Sequence, residues 1–284
     1  MTAKNAFDYE GEISWCPGCG DFNILESLKT ALHELGMNPL DVVVVSGIGQ
    51  AAKMPHYLKC NSVNGLHGRA LPVATGIKAS NRNLTVIAVG GDGDMYGEGG
   101  NHFMHAIRRN PDITNIICNN MIYGLTKGQG SPTTPIGTVT PTQPSGVAST
   151  PLNPLLIALS CGATFVARAS AADAGLTKEI IVRAIKHKGY SMIDIFQPCV
   201  SFNKTKSWQW LLKNTKWLDS ARDASDILEA MRLSMQTDPY PLGIIYEKTS
   251  RTTFEENCAP YQQGDSTPLY LRTPKTDSVK KLLI

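Results

Sequence analysis

The chain has 284 residues, 42% of them hydrophobic and 18% charged, which is enough apolar material for a large buried core and too much for a disordered chain. The formal net charge is only +3, and Lys and Arg are scattered without forming a block, so nothing points to a nucleic-acid surface. Residues 1–15 lack the apolar centre of a signal peptide and no apolar run approaches a membrane span, so the cytoplasm is the expected compartment and no membrane contact is expected.

Seven cysteines stand out: Cys16, Cys19, Cys60, Cys118, Cys161, Cys199 and Cys258. An odd number behind no secretory leader argues against a disulfide framework and towards metal or redox chemistry. The first two form Cys16-Pro17-Gly18-Cys19, whose thiolates converge on one side of a turn. That spacing leaves zinc, a redox disulfide and an iron–sulfur cluster all open. A thioredoxin-like pair would follow a strand, and none is expected here. A structural zinc site would want a second close pair, which the sequence lacks. The other cysteines are single and distant, which suits a cluster whose ligands converge in space.

Downstream, Ile24, Leu25, Leu28, Ala31, Leu32 and Leu35 recur at helical spacing, and Gly36 closes that helix. Val42-Val43-Val44-Val45 is a continuous apolar run of the kind buried on both faces of a parallel sheet. The same pattern predicts strands at 84–89, 113–118, 164–167, 192–196 and 244–246, with helices at about 70–80, 98–109, 154–160, 175–188 and 222–235. Alternating strands and helices imply an α/β fold, an open, mostly parallel sheet covered by helices on both faces. A single domain over 1–284 is expected, with an N-terminal segment (1–20) and a C-terminal extension (about 250–284) whose role is open. Residues 128–154 hold six prolines among many Thr, Ser and Gly, a long ordered loop or an inter-domain linker. Residues 201–218 hold three of the four tryptophans, either core, a cover, or a partner surface.

The strand at 84–89 runs into Gly90-Gly91-Asp92-Gly93-Asp94. Glycines at a strand's carboxyl end let a backbone approach a phosphate, and an aspartate there can bind Mg²⁺. The next strand ends in Asn119-Asn120, one crossover helix and one strand later. The two motifs therefore fall side by side at the sheet edge where open α/β sheets bind ligands. This pattern resembles the diphosphate motif of thiamine-diphosphate enzymes. The resemblance implies that Asp92, the Asn120 side chain and the Ile122 carbonyl hold Mg²⁺.

Six motifs in order then resemble the β subunits of 2-oxoacid:ferredoxin oxidoreductases over residues 12 to 205. They are Trp15-Cys-Pro-Gly-Cys-Gly20, Val45-Ser-Gly-Ile-Gly49, Leu66-His-Gly-Arg-Ala70, Gly-Asp-Gly-Asp at 91–94, Tyr123-Gly-Leu-Thr-Lys-Gly-Gln129 and Gln197-Pro-Cys199. The family implies a pyrophosphate-domain fold with thiamine diphosphate, Mg²⁺ and one [4Fe–4S] cluster. The cofactor site would comprise Ile48, Gly49, His67, Gly68, Gly91, Asp92, Gly93, Asp94, Asn120, Ile122, Gly124 and Leu125. His67 would face the diphosphate or the reacting carbon, the alternative being a bond to nearby backbone. Cys16, Cys19 and Cys199 match cluster ligands, but Gln50 stands where the family has a further cysteine. Cys60, ten residues on, is the expected replacement, the rivals being Gln50 itself or an open iron. Cys118, in a central strand, reads as a buried small hydrophobe.

Lys53 and Leu125 match positions that line the substrate pocket in related archaeal enzymes. A lysine there would neutralise the distal carboxylate of 2-oxoglutarate, which pyruvate lacks; elsewhere it would be solvated surface. The implied reaction is oxidative decarboxylation of 2-oxoglutarate to succinyl-CoA and CO₂, with electrons leaving through the cluster to ferredoxin; the reverse direction would fix CO₂. An α subunit must complete the thiamine site, in an expected (αβ)₂ assembly. The alternatives are the same reaction on pyruvate or a broad range of 2-oxoacids, a redox-independent thiamine lyase, and a zinc-binding structural subunit.

Overall fold

The computed structural model describes residues 5–249, 251–262, 264–273 and 276. Most of the expected N-terminal segment falls within them, whereas residues 1–4 and the end of the expected C-terminal extension lie outside. Eight strands form one sheet: β1 (Val42–Ser46), β2 (Asn61–Asn64), β3 (Thr85–Gly91), β4 (Thr114–Asn119), β5 (Phe165–Ser170), β6 (Ser191–Phe196), β7 (Thr215–Trp217) and β8 (Tyr240–Glu247). Their order is β2-β1-β3-β4-β6-β5-β8-β7. β2, β1, β3, β4, β6 and β5 are mutually parallel, and β8 runs antiparallel to β5.

The apolar runs explain the layers. Val42 and Val44 of β1 face one core with Ile87, Ile116 and Ile193, whereas Val43 and Val45 face the other with Val86, Ala88 and Ile117. Successive strand residues point to opposite faces, so a strand buried on both sides must be apolar at every position. Helices α1 (Asp21–Glu34) and α5 (Ala174–Lys186) cover the first face. Helices α2 (Ala70–Ser80), α3 (Gly100–Arg109), α4 (Pro154–Ser160) and α7 (Ile227–Ser234) cover the second. Gly36, at φ +62°, ends α1 and donates to His33 O, the left-handed stop the sequence predicts.

The differences from the sequence reading fall at edges. β2 (Asn-Ser-Val-Asn) is exposed at all four positions, so no apolar alternation marks it, and β7 is likewise a short edge strand. The helix expected over 222–235 begins only at Ile227, because the Asp226 carboxylate caps the amides of Leu228 and Glu229 and the Arg222 guanidinium donates to the Ile244 carbonyl. The helix expected over 98–109 is preceded by a π-helical turn, Gly93–Glu98, that continues straight from the Gly-Asp-Gly motif. The 251–262 stretch lies against the ends of α2 and α3, with Tyr261 donating to Ala79 O and Phe254 N to Asn110 O.

Candidate functional site

The path from β1 out to β2 and back to β3 makes the chain change direction at the β1/β3 boundary, where an open sheet leaves a crevice beyond its carboxyl ends. A cleft of about 410 Å³ lies there, lined by the turns that follow β1, β3 and β4. Of the twelve residues expected around the cofactor, all but Gly68 line it. A Cβ on Gly49 would meet nothing within 4 Å, and one on Gly91 only the Cys118 carbonyl at 3.9 Å. Both backbones are thus bare towards the cleft, as close approach of a phosphate requires.

Asp94 turns out to be the tie between the turns. Its Oδ1 accepts the amides of Ile48 at 3.1 Å and Gly68 at 2.7 Å, from the loop after β1 and the entry to α2. Its Oδ2 is buried without a partner and sits where a Cβ on Gly47 would come within 2.1 Å. Burial pushes the Asp94 carboxyl up, and the two amides pull it back. Gly68 therefore acts through Asp94 rather than on the cleft itself. A Cβ on it would also strike the Glu98 carbonyl carbon at 2.4 Å.

Asp92 is 1% exposed and is held by hydroxyls. Its Oδ2 accepts from Ser131 at 2.5 Å and Thr133 at 2.6 Å. Burial raises its pKa to about 6, against the pull of those two hydroxyls. Asn120 folds back so that its Oδ1 accepts the Ile122 amide at 3.0 Å. A buried carboxylate lining one cleft with an amide oxygen and the Ile122 segment fits a hard divalent cation shared with a diphosphate.

Ser131 and Thr133 come from the proline-rich stretch 128–154, so this is an ordered loop packed on the site and not a linker. Thr134 donates to Met121 O at 2.7 Å and Leu152 N to Pro132 O at 2.8 Å. Only the Ser-Pro-Thr-Thr-Pro run at 131–135 hinted at these hydroxyls. Asn119 was also missed as a bridge: its Oδ1 lies 3.0 Å from Thr133 Oγ1, and its Nδ2 donates to Asp194 at 3.1 Å.

A second, narrower cavity lies behind the cleft. Cys16, Cys19 and Cys199 line it together with Trp15, Asp21 and Gln50. Gln50, Asn120 and Gly124 line both cavities and form their common wall. The Trp15 indole donates to Gln50 O at 2.9 Å and stands edge-on to Tyr57 and Phe22, which fixes the Cys16 segment against the loop after β1. Gly20 packs so tightly on Gln197 that a Cβ would come within 2.6 Å, and Gln197 Nε2 donates to Asp21 at 2.9 Å. Trp208, from α6 (Trp208–Asn214), donates to Gly18 O at 3.2 Å, so one of the clustered tryptophans covers the Cys16–Cys19 turn. Burial first, then the Asp21 carboxylate, pushes the Cys19 thiol well above its ordinary range. Among the described residues no three His, Cys, Asp or Glu close on a single metal ion; the three cysteines ring a space.

Cys60 is not brought to this cavity. It immediately precedes β2, whose Asn61 pairs with Val43 near the start of β1. Three strand residues separate that level from Ser46, so Cys60 sits about 10 Å back towards the amino edge. It packs instead against the apolar core beside α1 and α5, and burial raises its pKa to about 11. Cys118 is buried in β4 as expected. His67 and Leu125 line the cleft, both exposed. Lys53 does not line it; its ammonium donates to Ser14 O at 3.3 Å.

Known proteins agree with this geometry. Residues 42–195 match the family model described as thiamine pyrophosphate enzyme, C-terminal TPP binding domain, so fold and cleft define a thiamine-diphosphate-binding protein. Residues 199–263 match the C-terminal region of pyruvate ferredoxin oxidoreductase beta subunits. The 2-oxoacid:ferredoxin oxidoreductase subunit beta of Saccharolobus solfataricus is 42% identical over 283 residues, covering 93% of this chain and 90% of that protein. The 2-oxoglutarate synthase subunit KorB of Methanocaldococcus jannaschii is 37% identical, covering 75% and 82%. The solved structure of 2-oxoglutarate:ferredoxin oxidoreductase from Magnetococcus marinus, with 2-oxoglutarate, coenzyme A and succinyl-CoA bound, superposes with a TM-score of 0.90 at 35% identity, over 98% of this chain and 94% of that one. The chain belongs to the family of β subunits of 2-oxoacid:ferredoxin oxidoreductases. It is one part of a multi-subunit oxidoreductase and works with an α partner. No helix among the described residues is long and apolar enough to cross a membrane.

Proposed function

We propose that this subunit, with its α partner in an (αβ)₂ assembly, oxidatively decarboxylates 2-oxoglutarate to succinyl-CoA and CO₂ and passes the electrons through one [4Fe–4S] cluster to ferredoxin. The observation that carries this reading is the common wall: Gln50, Asn120 and Gly124 line both the cofactor cleft and the cysteine cavity. When bound, thiamine diphosphate supplies the electron sink that lets CO₂ leave a 2-oxoacid, and an iron–sulfur cluster takes electrons singly.

The chain's own residues then have distinct tasks. The bare backbones at Gly49 and Gly91 cradle the diphosphate, while Asp92, Asn120 and the Ile122 carbonyl hold Mg²⁺. His67 stands exposed at the cleft wall, placed to face the diphosphate or the substrate. Cys16, Cys19 and Cys199 hold the cluster, as sulfur ligands on different irons do when they ring a space. Leu125 lines the substrate side of the cleft, and Lys53 leaves the Ser14 carbonyl to meet the distal carboxylate of 2-oxoglutarate. The cytoplasm is the proposed compartment.

A broader 2-oxoacid range is the second reading, favoured by the position of Lys53 outside the cleft. A redox-independent thiamine lyase would leave the cysteine cavity without a task. The test is an αβ complex purified without oxygen and assayed on several 2-oxoacids with coenzyme A and ferredoxin. Brown protein, with coenzyme A-dependent ferredoxin reduction fastest on 2-oxoglutarate, is the expected result. A colourless complex that releases CO₂ without reducing ferredoxin would overturn the proposal.

A further inference from the structure

The cysteine cavity is lined by three cysteines and not four, and Gln50 lines it on the side shared with the cofactor cleft. Three observations show that this amide is placed and not incidental. Its Oε1 is buried and has no hydrogen-bond partner. Its backbone is fixed, the carbonyl accepting both the Trp15 indole at 2.9 Å and the Lys53 amide at 3.2 Å. It lines the cysteine cavity and the cofactor cleft at once.

The rivals for the fourth position are otherwise engaged. Asp21 is 1% exposed and its Oδ1 accepts Gln197 Nε2. Cys118 lies within β4 and borders the cofactor cleft but not this cavity, and Cys60 lies at the amino edge of the sheet. Gln197 Oε1 is also without a partner, but it is turned onto Gly20.

We propose, resting on the cluster reading above, that the iron nearest the thiamine cleft is held by the Gln50 amide oxygen and is exchangeable, so that the site interconverts between four-iron and three-iron forms. A neutral, hard oxygen binds iron more weakly than a thiolate, and a cluster opens at its weakest corner. Removing one electron from a [4Fe–4S]²⁺ core releases Fe²⁺ and leaves [3Fe–4S]⁺. The oxidant is a one-electron acceptor, ferricyanide in the test tube or dioxygen reduced to superoxide. The return step takes up Fe²⁺ and one electron, which oxidation of a 2-oxoacid at the adjacent cofactor supplies. The enzyme would thereby sense oxidant and free ferrous iron at the corner where electrons enter.

The experiment uses the αβ complex purified without oxygen and treated with stoichiometric ferricyanide. Iron release is followed with a ferrous chelator, and the cluster by EPR. The natural protein should release roughly one iron in four and develop the near-isotropic signal of an oxidised three-iron cluster. Ferrous ion plus reductant should erase that signal. Gln50→Cys should keep its iron and stay silent under the same treatment, whereas Gln50→Ala should release its iron and give the three-iron signal at least as readily as the natural protein; thermal melting confirms that each variant is folded. If the natural protein keeps all its iron and stays EPR-silent as Gln50→Cys does, the labile corner is refuted while the cluster stands. A folded complex with thiamine-dependent activity and no iron would instead overturn the cluster reading, and this inference with it.

Discussion

The cofactor cleft and the cysteine cavity share a wall and a sheet edge, yet they are built in opposite ways. The cleft is made of glycine turns at the ends of adjacent strands, and one carboxylate, Asp94, binds two of those turns through backbone amides. The cysteine cavity is gathered from the coil before α1, the loop after β1 and the loop after β6. Side chains far apart in sequence hold it together: Trp15 on Gln50, Gln197 on Asp21, Trp208 on Gly18. A site built on strand ends is rigid before any ligand arrives. A site gathered from loops depends on what it encloses to stay closed.

That contrast can be broken or sharpened by substitution. The largest effect is expected at Asp94. Asp94→Ala removes two hydrogen bonds to a charged acceptor, about 3–5 kcal/mol in all, and frees the loop after β1 from α2. Calorimetry should show a large loss of melting temperature and no measurable thiamine diphosphate binding; a stable protein that still binds cofactor would show that Asp94 does not brace the cleft. Cys199→Ser should act on the other cavity alone. It should strip iron and abolish ferredoxin reduction, read by iron analysis and assay, while circular dichroism shows an unchanged fold. Loss of the fold would mean the two sites are not separable.

Thr133→Ala should cost about 2 kcal/mol, the usual loss for a donor to a buried charged group, and should weaken Mg²⁺-dependent cofactor binding. Ser131 remains to hold Asp92, so titration calorimetry should find a reduced affinity and not an absent site. Lys53→Ala should lower kcat/KM on 2-oxoglutarate at least about tenfold more than on pyruvate, equivalent to ~1.4 kcal/mol; equal losses would remove the substrate assignment. The smallest effect is expected at Cys60→Ser. It should leave the iron content unchanged, since Cys60 lies on the amino side of the sheet, and loss of iron there would reverse the placement of the cluster.

Contiguous motifs were the legible ones. The valine run of β1 announced a strand buried on both faces, and Gly-Asp-Gly with Asn-Asn announced the ligand edge, because both lie in single stretches of chain. The bracing role of Asp94 was not legible, since its partners come from two other segments of the chain. Ser131 and Thr133 were hidden in a stretch whose composition suits a linker equally well. Cys60 is near Gln50 in sequence but not in space. A parallel neighbour such as β2 can be reached only by carrying the chain back to the amino edge, and Cys60 sits just before that strand begins. The polar Asn61–Asn64 edge gave no sign of it.

The glutamine in the common wall also bears on how readily the centre takes electrons. Three thiolates and a neutral amide carry one negative charge fewer than four thiolates. A cluster inside a less negative ligand set accepts an electron more readily, because net charge is one of the factors that set its potential. In the proposed site, the electrons of a 2-oxoacid therefore find a better acceptor, and the same centre is a poorer reductant for returning CO₂ to an acyl group. In that proposed site Gln50 makes the centre a better acceptor and a poorer donor of electrons, while the equilibrium between 2-oxoacid and CO₂ is unchanged by it.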